Sequence, residues 1–375
     1  MTSLARKTLL HEWRRFLPAV LAIGFACLLQ LLQVALVAGI FSSASAQVSG
    51  STADLWAGYP GTRSVNLGRP VSELARAHLL ADPEVLSVEP FLWVEADWNS
   101  PGRVEQVVVS GINPAADGML YALLLTPATR TLLAEPGAVV IDQADTGTLG
   151  VRIGDRITIN GQPVHVVATA HGLRSLGAIN VVTSIATARR LDPETATNPG
   201  PTYFVAKLRD PLLAPAVANR VRTLGKSVPF SAWPAPEFAS QAEWYWLLDT
   251  GAGAGVLFLA IVVFVAGAAI SSQTMMAAVT GSLREYATLN ALGVSITHLR
   301  WVVLEQACWV GVLGLTGAAI IGSGLLLFAA EHGIPARLNL PVSLACMVLA
   351  LAVSAVSGLA AVQGLRRADP ALLLR

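Results

Sequence analysis

The chain has 375 residues, of which 54% are hydrophobic and only 13% are charged, and its formal net charge is +1. Soluble domains carry roughly 25% charged residues, so the composition indicates an integral membrane protein. Domains that bind nucleic acid carry a basic surplus on one face, and a net charge of +1 argues against that role. The three cysteines, Cys27, Cys308 and Cys346, all lie in apolar runs, so none is expected to staple an exported domain.

Four apolar runs are long enough to cross a bilayer, which takes about 20 residues. The sequence therefore predicts an α-helical membrane protein with four transmembrane helices and a large α+β extracytoplasmic domain between helices 1 and 2. In chain order the predicted segments are a cytoplasmic elbow helix (1–15), transmembrane helix 1 (16–41), the extracytoplasmic domain (42–246), transmembrane helix 2 with a stalk (247–279), a cytoplasmic coupling segment (280–299), transmembrane helix 3 (300–330), a short periplasmic loop (331–339), transmembrane helix 4 (340–363) and a cytoplasmic tail (364–375).

Basic residues in the short loops predict the orientation. They cluster before helix 1, between helices 2 and 3 and after helix 4, whereas the loop between helices 3 and 4 offers only Arg337. The positive-inside rule then places both termini and the coupling segment in the cytoplasm and the large domain outside. Trp244, Tyr245 and Trp246 are expected to form an interfacial belt at the outer end of helix 2.

A signal-peptidase site offers a competing interpretation of helix 1. Ala44, Ser45 and Ala46 form the small-residue pattern that such a site requires, after a basic N-terminal segment. The apolar part of a signal peptide is only about 7–15 residues long, and this apolar run is much longer. We therefore expect helix 1 to be a retained anchor.

The extracytoplasmic domain shows alternating strand and helix signals, which predict an α+β fold of two lobes. Residues 113–200 are predicted to form an insertion into a lobe that is built from the residues before and after them. Asn160-Gly161 predicts a hairpin turn. The aromatic residues Phe91, Trp93 and Trp98 could face a substrate or an adaptor, but their strand pattern favours the core. The predicted elements are helices over Ser72–Leu80 and 213–224 and strands over Val85–Ala96, Val104–Ile112, Ala138–Ile141, Arg156–Asn160, Val164–Ala168 and Tyr203–Leu208.

Residue spacing supports neither an enzyme nor a metal site. We find no serine, cysteine or paired-carboxylate constellation of catalytic spacing, and His78, His165, His171 and His332 lack the spacing of metal ligands. The predicted spans contain almost no ionisable groups, which argues against ion-coupled transport. Small residues occur instead, including Gly251 and Gly255 at the start of helix 2. They favour close helix packing, either within the chain or across a dimer.

The coupling segment is a short polar stretch between two long apolar runs, and Arg284 and Glu285 are its only full charges. Tyr286, Leu289 and Gly293 follow at helical spacing and give it a narrow apolar stripe. The residues alone allow either a solvated loop or a docking surface.

The string REYATLNALGVS in this segment resembles the permease subunits of MacB/FtsX-type ABC exporters. In that family an arginine–glutamate pair with an L-x-A-x-G tail follows helix 2, and Arg284, Glu285, Leu289, Ala291 and Gly293 match it. Leu149–Ala168 resembles the family's exported-domain hairpin, and the chain end RRADPALLLR resembles its tail. Helix 1, the segment Ala53–Trp56 and Val85–Gly102 are similar to the DevC-like branch.

The resemblance implies a non-catalytic permease in the bacterial inner membrane, with both termini cytoplasmic. It implies an ABC ATPase as a separate subunit that binds ATP and Mg²⁺, so this chain would bind no cofactor. Arg284 and Glu285 would pair with the ATPase surface, and Tyr286, Leu289 and Leu292, next to Gly293, would fill its groove. Further partners would be a second permease copy, membrane lipids, a periplasmic adaptor and an outer-membrane channel, with an amphiphile as cargo.

Two other functions stay open from the sequence. An FtsX-like permease would use the same ATPase-driven cycle to activate a periplasmic cell-wall hydrolase without cargo. A ligand sensor would need a cytoplasmic signalling domain, and the predicted inner segments are short. The partner proteins would distinguish an exporter from a regulator.

Overall fold

The computed structural model describes most of the chain in two compact units, one comprising residues up to Gly39 and from Gly255 onward and the other Ile40–Ala254. We call them the membrane unit and the exported unit and describe each by itself. The described residues are 11, 13–192, 200–224, 229–282, 285, 288, 292–331, 334, 336–338, 341, 343–345, 347–349, 351–352 and 355–356.

The described residues form ten α-helices and nine strands. In chain order they are α1 (Trp13–Ser42), α2 (Ala46–Ser49), β1 (Leu55–Gly58), α3 (Leu74–Leu80), β2 (Val85–Ser100), β3 (Arg103–Ile112), α4 (Pro127–Leu133), β4 (Ala138–Asp142), α5 (Thr146–Leu149), β5 (Arg156–Ile159), β6 (Gln162–Ala170), β7 (Ile179–Ser184), α6 (Ile185–Leu191), β8 (Tyr203–Leu208), α7 (Ala214–Leu224), β9 (Ser231–Pro234), α8 (Ala235–Leu248), α9 (Gly251–Gly281) and α10 (Ile296–Glu331).

Among the described residues, three segments are long and apolar enough to cross a membrane, namely Phe16–Ser49, Gly251–Gly281 and Thr297–Glu331. They correspond to the first three predicted transmembrane helices. The predicted elbow helix, the predicted fourth helix (340–363) and the tail fall largely or wholly outside the described residues, so a count of four helices stays a prediction.

The helices of the membrane unit pack through small residues and a buried apolar cluster. A Cβ atom added to Gly24 of α1 would lie 3.1 Å from the carbonyl oxygen of Gly314 in α10, and one added to Gly314 would lie 3.0 Å from the amide nitrogen of Gly24. The two backbones therefore meet at a point where only glycine fits, as is common between transmembrane helices. Phe16, Met275 and Val303 bring α1, α9 and α10 together in one apolar cluster.

The first lobe of the exported unit is a four-stranded antiparallel sheet in the order β9-β1-β8-β2. The first half of β2 provides its edge strand. Helices α3 and α7 cover one face, and their apolar residues, such as Leu79 and Val217, are buried against the sheet. The opposite face carries the aromatic side chains of Trp56, Phe91 and Tyr203, which pack edge-on or stacked with centroids 5.6–6.2 Å apart.

The second lobe is a closed ring of six strands in the order β2-β3-β7-β4-β6-β5, with β5 returning to β2 at Trp98 and Asn99. Its interior is filled by side chains from all six strands, among them Trp98 and Val109, which are fully buried. Asn160 and Gly161 both have positive φ, 47° and 74°, and form the tight turn between β5 and β6.

Two features differ from the sequence-based expectations. The second half of β2 and all of β3 belong to the same ring as β4–β7, so the second lobe begins near Leu92 rather than at 113, because one 16-residue strand runs through both lobes. Trp244, Tyr245 and Trp246 do not lie on helix 2. They belong to α8, a separate helix that ends at Leu248, before α9 begins at Gly251.

Candidate coupling segment and neck

The turn between α9 and α10 is built by two signals in the sequence LGVS, one that ends a helix and one that starts the next. The amide of Leu292 donates to the carbonyl oxygen of Thr288 over 3.1 Å, and Gly293 follows with φ of 96°, the left-handed conformation that ends many helices. The side-chain oxygen of Ser295 then accepts a hydrogen bond from the amide of His298 over 3.3 Å. This is the usual N-cap at the start of a helix. The end of one helix and the start of the next are therefore fixed by two residues, Gly293 and Ser295.

Neighbouring residues of this turn differ sharply in burial. Leu299 is 1% exposed and lies in the apolar cluster with Phe16 and Val279, and Val294 packs against the same cluster. Leu292, in contrast, is 77% exposed. The turn is held by Val294 and Leu299 and presents Leu292 at its surface, directly before Gly293.

Glu285 is exposed and helical, so its carboxylate lies on the surface of the same segment. Arg284, Tyr286 and Leu289 lie outside the described residues. Their predicted docking role therefore stays a prediction, and the described part of the proposed surface consists of Glu285, Leu292 and Gly293.

A second group of contacts joins the segment after α1 to helix α8, and we call it the neck. Ser45 is fully buried, and its hydroxyl lies 2.7 Å from Oε1 of Glu243 in α8. Three residues further along α8, Nε1 of Trp246 donates to Oγ of Ser64 over 3.1 Å. An exposed ion pair, Arg63 with Asp249, lies at the end of the helix at 2.5 Å.

Gln47, two residues after Ser45, reaches the second lobe. It is fully buried, and its Nε2 donates to Oγ of Ser175 over 3.0 Å. Sequence reasoning missed Ser45, Gln47 and Glu243. The sequence does contain a signal for Gln47, because it is one of few amide side chains in the charge-free stretch 16–53.

Gly251 and Gly255 do not mediate the helix packing observed in this chain. A Cβ atom added to either would meet no atom within 4 Å among the described residues, whereas Gly24, Gly267, Gly314 and Gly322 have close neighbours. A role for Gly251 and Gly255 in contact with a second copy stays a prediction.

Two family models together match nearly the whole chain. The MacB-like periplasmic core domain matches residues 17–224, and the FtsX-like permease C-terminal domain matches residues 256–370. The chain belongs to the MacB/FtsX-type ABC transporter permeases. The finer resemblance to the DevC-like branch stays a prediction.

Solved structures similar to this permease include the periplasmic region of MacB from Actinobacillus actinomycetemcomitans, at 14% identity and a TM-score of 0.35, covering 52% of this chain and 95% of that one. The extracellular domain of the noncanonic ABC-type transporter YknZ from Gram-positive bacteria gives 14% identity and a TM-score of 0.35, covering 48% of this chain and 100% of that one. No curated protein matches the permease.

Proposed function

We propose that this chain is the permease subunit of an ABC export system and that it transmits ATP-driven motion of a separate ATPase to its exported domain. The observation that carries the proposal is the order of the two family matches along the chain, periplasmic core first and FtsX-like permease second. ATP and Mg²⁺ would then bind to the partner subunit.

The ATPase docks on the coupling segment, in the cytoplasm of a bacterium whose inner membrane the helices cross. Leu292 supports this role because an exposed leucine on a rigid turn can fill an apolar groove without refolding. Glu285 adds a charge that can pair across the interface. Two permease copies side by side would each dock one ATPase subunit through Leu292 and Glu285. Gly251 and Gly255 would lie where the two permease copies meet.

The neck transmits the motion on the other side of the membrane. The segment after α1 and helix α8 are joined by Ser45 and Glu243, and Gln47 passes the contact on to the second lobe through Ser175. A displacement of either segment therefore reaches both lobes of the exported unit. Packed side chains and hydrogen bonds of this kind carry energetic coupling between distant parts of a protein.

The cargo we propose is an amphiphile, which the exported domain passes to a periplasmic adaptor and an outer-membrane channel. An FtsX-like regulator that activates a periplasmic cell-wall hydrolase is the second candidate, and the family match favours neither. The partners distinguish the two.

Co-purification from native membranes in mild detergent, followed by mass spectrometry, tests the proposal. We expect the wild-type permease to retain an ABC ATPase and an adaptor protein. The Glu285→Lys, Leu292→Asp double variant should lose the ATPase and keep the adaptor, because both side chains are exposed and the exported domain is unchanged. Leu212→Asp, which alters a leucine of the exported unit that is 87% exposed, is the matched control. A hydrolase in place of the adaptor would establish the regulator, and absence of any ATPase would refute the coupling role.

A further inference from the structure

A cavity of about 480 Å³ lies in the exported unit, on the outer face of the strand pair β2 and β3. Its floor carries Trp93, Glu95 and Asp97 of β2, which alternate along the strand and so face the same side. Gln106 of β3 lies opposite Asp97 in the register. The volume falls within the range of small-molecule sites, about 300–1,000 Å³.

The walls of this cavity come from both lobes. Leu176, Gly177 and Ala178, which precede β7, form one side, and Asn66 and Trp246 form the other. Trp246 is held in place by its hydrogen bond to Ser64, and Asn160 is held by the amide of Asp97, which donates to Oδ1 of Asn160 over 2.8 Å. The site is therefore shaped by fixed side chains before any ligand arrives.

Two polar atoms of the lining are buried and lack a hydrogen-bond partner among the described residues. They are Nε1 of Trp93, a donor, and Oδ1 of Asn66, an acceptor. Buried polar groups in native structures are normally hydrogen-bonded. Both atoms belong to residues that line the same cavity, so its wall holds a donor and an acceptor that no described residue uses.

The charge of the lining selects the kind of ligand. Glu95 and Asp97 are two residues apart on one face, so their side chains emerge about 7 Å apart. Their carboxylates make no ion pair or side-chain hydrogen bond among the described residues, and the described lining contains no lysine or arginine. Two unpaired carboxylates repel an anionic head group and attract a cation.

The two tryptophans add a second attraction for the same class of ligand. Indole rings attract ammonium groups through their negative faces, and cages of aromatic side chains recognise quaternary ammonium ions in this way. Tryptophans with neighbouring carboxylates therefore suit a cationic group better than a neutral one. The alternative is that Glu95 and Asp97 are ordinary solvated carboxylates on an exposed strand. That alternative does not account for the cavity or for the unpartnered atoms of Trp93 and Asn66.

We propose that this cavity is a binding site for an organic cation, an ammonium group on an apolar body. The head group lies over Glu95 and Asp97 between Trp93 and Trp246. Trp246 belongs to α8, which also carries the Glu243 contact of the neck, so an occupant touches the helix that we propose to transmit motion. Binding itself does not depend on the ATPase, so the two proposals fail separately.

Isothermal titration of the full-length permease in phosphatidylcholine nanodiscs tests the site, with empty discs as the blank. The probe is benzyltrimethylammonium, compared with benzoate as the anionic analogue and maltose as a neutral polyhydroxyl compound. We expect the cation alone to bind, more weakly as sodium chloride is raised. Binding of maltose or benzoate in its place, or of none of the three, would overturn the proposal.

Near-isosteric variants locate the binding. The Glu95→Gln, Asp97→Asn double variant should weaken the affinity for benzyltrimethylammonium by about tenfold or more. The control Glu73→Gln, Glu105→Gln removes the same two charges elsewhere. Glu105 is opposite Trp98 in the register and so faces away from the cavity, and Glu73 precedes α3. Equal loss of affinity in both double variants, or in neither, would contradict the assignment. Circular dichroism of each variant checks that the fold is kept.

Discussion

Ser45 and Glu243 are separated by 198 residues in the chain, yet their side-chain oxygens lie 2.7 Å apart. Ser45 follows α1, and Glu243 belongs to α8, which precedes α9. The contact therefore joins two segments that each continue into an apolar helix of membrane-spanning length. A hydrogen bond to a carboxylate is stronger than one between neutral groups, which suits the transmitting role that we propose for the neck.

The first prediction concerns this contact. Ser45→Ala and Glu243→Gln should each lower the free energy of unfolding of the purified permease, and the double variant should lose less than their sum. We expect a coupling energy of about 1–3 kcal/mol, typical of a hydrogen bond to a charged group. Denaturant unfolding followed by near-ultraviolet circular dichroism measures it. Strict additivity would show that the two residues do not act together.

The turn at Gly293 gives the second prediction. Its φ of 96° is unfavourable for any side chain with a Cβ atom, so Gly293→Ala should destabilise the turn by about 1–2 kcal/mol. The thermal midpoint of the permease in detergent and its recovery of ATPase should both fall. Gly147→Ala is the control, because Gly147 has open space around it and is not among the positive-φ residues. Equal behaviour of the two variants would refute a conformational role.

The helix contact at Gly314 gives the third prediction. A side chain there meets the backbone of Gly24, whereas Gly317, one turn away on α10, meets nothing within 4 Å among the described residues. Gly314→Val should therefore separate α1 from α10 and lower the thermal midpoint markedly, and Gly317→Val should be tolerated. Size-exclusion chromatography after stepwise heating compares them. A larger loss for Gly317→Val would contradict the observed packing.

The ion pair of Asp82 with Arg220 gives the fourth prediction. Arg220 donates two hydrogen bonds, of 2.8 and 3.0 Å, to the carboxylate of Asp82, and they lower the pKa of this carboxyl. A lowered folded-state pKa stabilises the protein above the unfolded value of about 3.9, and that stabilisation is lost as the pH falls below it.

We therefore expect Asp82→Asn to lower the thermal midpoint at pH 7 and to bring it closer to wild type as the pH falls towards 3. Thermal unfolding of the two proteins at pH 7, 5 and 3 measures the difference. A deficit that stays constant over this range would show that Asp82 contributes through packing rather than through its charge.

The sequence predicted the apolar helices because their signal is long and uninterrupted. It also predicted the hairpin at Asn160-Gly161 and the strand Tyr203–Leu208, whose bounds agree with β8. It missed β1, β7 and β9, because β1 and β9 have only four residues each and the buried run of β7 shows no alternation. The tryptophans near 245 suggested a membrane interface, but tertiary contacts such as Trp246 with Ser64 place them in a separate helix.

The site was predictable only where its residues are neighbours in the chain. The glycine and the serine of LGVS are local signals, so the turn of the coupling segment could be found from the string alone. The neck and the cavity join residues from distant segments, such as Gln47 with Ser175 and Asn66 with Trp93, and periodicity does not reveal such pairs. Phe91 and Trp98 are buried, as their strand pattern favoured, whereas Trp93 is only half-buried and lines the cavity.

The central claim is that an ATPase docks on the turn at Leu292, and site-specific photo-crosslinking in native membranes tests it most directly. Benzoylphenylalanine would replace Leu292 in one variant and Leu212, on the exported unit, in the other. We predict a crosslink from position 292 to an ABC ATPase that strengthens or weakens when ATP is added, and none from position 212. A complex that contains the ATPase but gives no crosslink from position 292 would contradict the account.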